Sequence, residues 1–360
     1  MANIETVAGL VPPGTGVLAV VKANGYGAGA VPVSKAALGV PRVAGLAVAT
    51  PDEALELREA GIDGMILVLS PVTAEAYEAM AANLVSVTVT GIEGLCAAQD
   101  AGKALSLKTA VHLKIETGMG RVGVAVGSDL AGVLSALKQA PNIQVEGAFT
   151  HFAVADKDRD YTVRQMGVFD EALAQMAAAG VRPKYRHAAN SAAILDFPRA
   201  HLDLVRPGII LYGSYPDASL STKAEIRPVL SLYSRVSLVK AVPAGYSVGY
   251  GRTYVTPNPT TIVTVPIGYA DGYPRLLSGQ GSVLIHGKRL PIAGRVCMDQ
   301  IMIDAGDSPV KAGDVVTLIG TDGGETITVD EVAGLSQTIA HEVLTGITAR
   351  VPRIYVGGAE

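Results

Sequence analysis

AGLAVATPDEALELREAG, residues 44–61, decides how the chain is read. Its first half is an apolar run without polar alternation, the pattern of a strand buried on both faces. Its second half opens on threonine, places proline in the first helical turn, follows with acids and stops at glycine, the punctuation of a capped helix. The unit recurs. Short β-rich runs stand at VLAVVK (17–22), MILVLS (65–70), VSVTVT (85–90), AVHLKIE (110–116), VEGAFTH (145–151), KYRHAA (184–189) and LVRPGIILYG (204–213). Helical segments lie between them at SPVTAEAYEAMAANL (70–84), SDLAGVLSALKQAP (128–141) and VRQMGVFDEALAQMAAAG (163–180). Strand then helix about eight times in roughly 200 residues is the signature of a parallel α/β fold, and the count favours a closed (β/α)8 barrel of the TIM type over a doubly wound sheet.

Past residue 214 the texture changes. VLSLYSRVSLVKAV (229–242), TTIVTVPIGYA (260–270), GSVLIHGKRLPIAGRVCMDQIMIDA (281–305) and GDVVTLIGT (313–321) alternate β-branched and polar residues between Gly, Pro and Asp. Mostly antiparallel β structure is expected there, a C-terminal domain of about 130 residues. The polar stretch YPDASLSTKAEIRP (215–228) is the natural boundary. The expected division is a barrel over 1–222 and a β domain over 223–360.

A chain of 360 residues, 49% hydrophobic and 17% charged, has ample material for a core. A net charge of -4 without a basic stripe argues against nucleic acid as a partner. No apolar run reaches the roughly 18 residues of a membrane span. The first residues, MANIETVAGLVPPGTG, lack the pattern of a secretion signal. Cys96 and Cys297 lie far apart and make no disulfide framework, so the expectation is a cytoplasmic protein with two buried thiols.

In such a barrel the chemistry gathers at the C-terminal ends of the strands. Those ends carry Lys22, Lys114 followed by Arg121, His151, Asn190 with Ser191, and Arg206 with Gly208. Carboxylates are scarce among them, Glu116 being the main exception, so no metal site is expected. Lys22 has two readings. Its ammonium either reaches solvent past the strand end, or the amine is tied up as a Schiff base, a use that a lowered amine pKa favours. NSAA (190–193) and the glycines of VRPGIILYG offer backbone amides and the Ser191 hydroxyl to an anion, where many barrels hold a phosphate. A Schiff-base lysine facing a phosphate cradle implies pyridoxal phosphate.

Nine motifs in series carry a resemblance. AVVKANGYG (19–27), KIETGMGRVGV (114–124), THFA (150–153), HAANSAA (187–193), VRPGIILYG (205–213), VGYGRTY (248–254), PIGYADGYPR (266–275), GRVCMDQIMID (294–304) and RVPRIY (350–355) together resemble the alanine racemase family of fold-type III pyridoxal phosphate enzymes. The resemblance implies a racemase that interconverts L- and D-alanine and supplies D-alanine for cell-wall peptidoglycan. By that resemblance Lys22 carries the cofactor through an imine bond, Tyr26 and Ser191 grip its phosphate with the backbone of Gly208 and Ile209, and Asn190 and His151 border it. Arg206 partners the pyridine nitrogen and leaves it largely unprotonated.

The resemblance implies two proton carriers: Lys22 on one face of the substrate and Tyr250, from the partner subunit, on the other. His151 and Arg206 are expected to lower the Tyr250 pKa from its usual value near 10. Arg121 and the backbone around Met298 bind the substrate carboxylate, and Tyr269 lines the entrance from the partner side. Lys114 matches a position where the family carries a carbamylated lysine, an anionic partner for Arg121. Asp299 is expected to brace its loop and Cys297 to pack within a strand. Each site then needs two chains, and a homodimer with shared active sites is expected. A racemase of broader specificity, a pyridoxal phosphate decarboxylase on the same barrel and a non-catalytic cofactor-binding barrel are the competing readings. The decarboxylase would want an acid in place of Arg206 near the ring nitrogen, and the last would lack the second domain and Tyr250.

The chain departs from the family pattern in three places. Relatives usually begin with a strand before the helix that ANIETVAGL (2–10) resembles. The lysine motif usually has alanine at position 25 and histidine at 28, where this chain has Gly25 and Ala28. The residue before RVPRIY-like segments is often a tyrosine that touches the phosphate; here Ala349 suggests weaker phosphate binding and tolerance of serine.

Overall fold

The computed structural model describes residues 1–357 and divides into two compact units, Met1–Gly25 with Gly29–Arg227, and Tyr26–Ala28 with Pro228 onward. The first unit is the expected barrel. Its strands are β1 (Gly16–Val20), β2 (Val43–Val48), β3 (Met65–Pro71), β4 (Ser86–Val89), β5 (Thr109–Glu116), β6 (Ile143–Phe149), β7 (Tyr185–His187) and β8 (Leu204–Val205). Each pairs in parallel with the next, and β8 returns to β1 through Gly16 opposite Leu204, which closes the ring. Closure leaves no free strand edge. Val17, Leu18 and Ala19 of β1, Leu46, Ala47 and Val48 of β2 and Ile66, Leu67 and Val68 of β3 are fully buried, as strands walled by helices outside and side chains inside must be.

The helices outside the ring are α1 (Ala2–Leu10), α2 (Ala30–Leu38), α3 (Pro51–Glu59), α4 (Ala76–Ala82), α5 (Ile92–Ala104), α6 (Ser128–Leu137) and α7 (Arg159–Ala178), with the short α8 (Ser191–Asp196) after β7. The opening stretch behaves as read. Thr50 Oγ1 accepts the Glu53 amide, the Glu53 carboxylate accepts the Thr50 amide, and Pro51 occupies the first turn. Other boundaries differ. α7 begins four residues before VRQMGVFDEALAQMAAAG because the Asp158 carboxylate accepts the Tyr161 amide at 2.9 Å and caps the helix there. α4 forms over only seven residues of its expected stretch, with no side chain capping its start.

α1 is tied to the rest of the first unit through Asn3. Its side-chain amide donates to the carbonyls of Leu211 (3.0 Å) and Arg227 (2.8 Å), and its carbonyl oxygen accepts the Arg227 amide at 2.9 Å. Cys96 is exposed, contrary to expectation: α5 turns Leu95, Ala98, Ala101 and Gly102 inward, which sends its neighbour outward.

The second unit is built of antiparallel sheets. Leu232–Arg235, Val315–Asp322, Ser282–Ile285 and Lys288–Pro291 pair in that order, and Leu238–Val242, Thr260–Val265 and Ile301–Gly306 form a second sheet. Val242, Val248, Ile262 and Ala293 pack together against Tyr254 and Met302. Cys297 is half-buried in a loop between strands, a correction to the reading that set it inside one. Residues 26–28 belong to this unit because Arg353 of RVPRIY donates to the Gly27 carbonyl at 3.1 Å while also donating to those of Ile347, Thr348 and Val351. Gly27, at φ 80°, could carry no side chain: a Cβ would stand 2.3 Å from the Leu344 carbonyl oxygen.

Among the described residues, no helix is long and apolar enough to cross a membrane, and no cluster of three His, Cys, Asp or Glu side chains could hold a metal.

Candidate active site

The chain leaves β1 through one turn of left-handed helix. Ala23 (φ 53°, ψ 51°), Asn24 (53°, 49°) and Gly25 (58°, 47°) all lie in the left-handed region, and Tyr26 follows at φ 51°. Each non-glycine residue there costs about 1–2 kcal/mol, so the turn must be held from outside. Several bonds do so. The Gly25 amide donates to Val21 O (2.8 Å), Asn24 accepts the Gly29 amide on its backbone and the Ala30 amide on its side chain (both 2.8 Å), and the Ala23 amide donates to Glu53 Oε1 (2.6 Å). Lys22 opens this turn, half-buried. Burial first, then the charge of Arg121, lower its amine pKa, and Glu53 acts in the opposite direction.

Lys114 on β5 is 3% exposed, and its Nζ donates to the carbonyls of Ile115 (2.8 Å) and Val122 (3.1 Å). Burial, with Arg206 and Arg121 adding to it against Glu116, pushes its pKa down to about 8. Glu116 Oε1 accepts the amides of Gly118 (2.5 Å) and Met119 (2.7 Å). Arg121 lies exposed in the loop after β5.

Arg206, just past β8, is 4% exposed and faces only neutral acceptors. Nη2 donates to Thr150 O (2.6 Å) and Ala188 O (3.1 Å) and lies 3.5 Å from His151 Nδ1, while Nη1 lies 2.9 Å from His187 Nδ1. Burial and Arg121 push its pKa down to about 9, which leaves it charged at neutral pH. His151 is held well below its usual pKa by burial and then by Arg206, Arg121, Lys114 and Lys22 together. It is therefore neutral, and the positive charge expected of the His151–Arg206 pair resides on the guanidinium.

Behind Arg206 runs a chain that reading strand ends alone did not find. His187 Nε2 lies 2.8 Å from His112 Nδ1, and His112 Nε2 lies 3.2 Å from Glu146 Oε2, which also accepts the Ser86 hydroxyl at 2.6 Å. A guanidinium only donates and a carboxylate only accepts. The two ends therefore fix the direction: His187 and His112 both carry their proton on Nε2, and every N–H points from Arg206 toward Glu146. Both rings are fully buried and held below their usual pKa, chiefly by burial, so they remain neutral. The sequence signal was a histidine within each strand-like run, VHL on β5 and YRH on β7.

Ser191 and Gly208 come together: Ser191 Oγ accepts the Gly208 amide at 3.0 Å, both residues being buried. Asn190 caps α8 by accepting the Ala193 amide at 3.1 Å, and Ile209 begins a short 3-10 turn. In the first unit, then, Lys22, Lys114, Arg121, His151 and Arg206 form one electrostatic group, with Ser191 and Gly208 as a contacting pair.

The second unit holds the remaining candidates. Tyr269 and Met298 are brought together, since the Tyr269 amide donates to Cys297 O (3.1 Å) and the Ala270 amide to Met298 O (3.0 Å). Arg350 clamps both segments through Asp299 (2.9 Å) and Asp271 (3.4 Å). Tyr250 stands 71% exposed on a turn between Gly249 (φ 71°) and Gly251 (φ 73°). Tyr26 is buried, its ring centroid 5.8 Å from that of His341, and burial pushes its phenol up to about 12.

The family model described as the alanine racemase N-terminal domain matches residues 1–216, and that of the C-terminal domain matches residues 229–355. The chain is 48% identical over 342 residues to an alanine racemase of Carboxydothermus hydrogenoformans, covering 94% of this chain and 92% of that one. It is 46% identical over 345 residues to an alanine racemase of Symbiobacterium thermophilum, covering 94% and 90%. The crystal structure of alanine racemase from Bacillus anthracis with bound L-Ala-P superposes with a TM-score of 0.94 at 41% identity, covering all of this chain and 93% of that one.

Proposed function

The chain belongs to the alanine racemase family, and on that premise we propose that it interconverts L- and D-alanine with pyridoxal phosphate as cofactor. The observation that carries the reading is the convergence of Lys22, Lys114, Arg121 and Arg206 on one histidine, an excess of positive charge at the end of the barrel strands. Glu53 and Glu116 offset only part of that charge, and a phosphate ester with a substrate carboxylate would supply the rest.

The residues fit the cofactor. The lowered pKa of the half-buried Lys22 amine raises its neutral, nucleophilic fraction, which condensation with an aldehyde requires. Arg206 offers N–H donors and no proton acceptor, which suits a ring nitrogen kept unprotonated. The Ser191 hydroxyl with the Gly208 and Ile209 amides, Tyr26 and Asn190 would hold the phosphate side. When bound, the cofactor supplies an electron sink that acidifies the substrate Cα–H.

This chain's side chains do the rest. Arg121 and the backbone at Met298 orient the substrate carboxylate. Lys22 Nζ takes or returns the Cα proton on one face, and Tyr250 Oη of a second copy serves the other. Residues 1–222 would bind the cofactor and residues 223–360 would complete the partner's site, with Tyr269 at its entrance, in a homodimer. The exposure of Tyr250 suits a residue that acts outside its own chain. Carbamylation of Lys114 would exchange a costly buried cation for an anion opposite Arg121. D-alanine for peptidoglycan, made in the cytoplasm, is the role this activity would serve.

The test is direct. The purified protein should show an absorbance band near the visible edge that borohydride abolishes, and should carry solvent deuterium into Cα of both L- and D-alanine. Lys22→Ala should lose both signals. A protein that shows the band and exchanges neither enantiomer overturns the racemase reading.

A further inference from the structure

Glu53 does more than a helix cap requires. Completing the box with Thr50 needs a single hydrogen bond, from the Thr50 amide, found at 3.2 Å. The same carboxylate also accepts the Ala49 amide at 2.7 Å on Oε2 and, from a distant segment, the Ala23 amide at 2.6 Å on Oε1. Ala23 is the first residue of the left-handed turn, and its amide belongs to the peptide that joins it to Lys22. The shorter bonds are therefore the two that capping does not explain. They lock the segment after β1 to the segment after β2.

We propose that Glu53 is a positioning residue for Lys22, holding the left-handed turn that aims the lysine and keeping a negative charge beside its amine. The proposal rests on the reading of Lys22 as the residue that binds the cofactor and moves a proton. The charged or titratable groups around Lys22 are Arg121 from the loop after β5, Glu53 from α3 and His151 after β6; Arg206 and Lys114 also act on His151. Arg121 disfavours the ammonium and His151 is neutral, so Glu53 supplies the opposing charge. It keeps the amine from becoming so weak a base that it could no longer accept a proton from carbon.

The apoenzyme reads this without any catalysis. The pH dependence of acetylation by acetic anhydride, followed at the Lys22 peptide by mass spectrometry, gives the amine pKa. Glu53→Gln, which keeps the shape and removes the charge, should lower that pKa and raise the share of neutral amine at pH 7, read as severalfold faster acetylation of Lys22 there. Thr50→Ala removes the other half of the capping box and should weaken the helix while leaving the Lys22 titration unmoved. Glu53→Asp restores the charge with a shorter reach, and should recover part of the shift; it serves equally if the glutamine variant does not fold. Equal Lys22 titrations in wild type and Glu53→Gln (or, where only the aspartate variant folds, in wild type and Glu53→Asp), or a Thr50→Ala shift as large, would overturn the proposal. A shift as described in a protein that racemises nothing would leave Glu53 its place and remove the racemase reading instead.

Discussion

Gly147→Ala is the sharpest test of the buried histidine chain. A Cβ on Gly147 would stand 2.2 Å from His112 Nδ1, 2.4 Å from Cε1 and 2.8 Å from Cγ. Carbon contacts settle near 3.5 Å, so the ring would have to retreat by about 1.3 Å. It has nowhere to go unpunished: Nδ1 is bonded to His187 at 2.8 Å, Nε2 to Glu146 at 3.2 Å, and the ring meets Phe149 edge-on at 6.5 Å. Overpacking costs about 1–3 kcal/mol, and a buried polar atom stripped of its partner about 1–3 more. A loss of about 2–6 kcal/mol follows. Urea unfolding at unchanged m-value measures it, alongside 15N resonances that report which histidine nitrogen bears the proton. Gly167→Ala, on α7 with nothing within 4 Å of the new methyl, should instead stabilise by about 0.5–1 kcal/mol. If Gly147→Ala costs less than about 1 kcal/mol and both rings keep their Nε2 protons, the packing argument is wrong.

Other expectations follow from the same geometry. Tyr250→Phe should slow deuterium entry into one alanine enantiomer by orders of magnitude more than into the other; equal slowing would contradict a proton carrier on a single face. His112, His151 and His187 resist protonation in the folded state, so below about pH 6.5 the unfolded chain binds protons that the folded one refuses, and stability should fall from pH 7 to 5. Glu146, held low chiefly by its bond from His112, adds a second loss only below about pH 4.5; a urea midpoint unchanged between pH 7 and 5 would refute the histidine contribution. Cys96 should react with maleimide in the native protein faster than the half-buried Cys297, whose thiol burial holds above its usual pKa, as mass spectrometry of timed samples will show. Ala349→Tyr should tighten cofactor binding and narrow selectivity toward alanine over serine, and unchanged selectivity would dismiss that departure.

The barrel was legible because its signals are local: a threonine cap, a proline in the first turn and apolar runs too dense for a half-exposed strand. The strand-end rule likewise delivered Lys22, Lys114, His151 and Arg206, four groups that interact in the fold. What escaped depends on closure. His112 and His187 sit 75 residues apart, and only the ring of strands faces them across the interior. Glu53 read as an ordinary acid in a first turn, since nothing local shows that Ala23 lies within its reach. The glycines behind Lys22 announced a tight turn, but left-handed backbone at Ala23, Asn24 and Tyr26 arises from tertiary hydrogen bonds that no residue preference foretells. α7 starts early for a simpler reason: Asp158 lay just ahead of the stretch taken as helical.

The bond from Arg353 to the Gly27 carbonyl spans 326 residues. On the ribosome the turn behind Lys22 is therefore made well before the arginine that donates to it. At about 5–20 residues per second the interval is roughly 15–65 s. Throughout that time the Gly27 carbonyl lacks this donor, so maturation of this loop is coupled to synthesis of the segment around Arg353, and a chain truncated before that residue would keep its barrel segments yet leave Gly27 without that anchor.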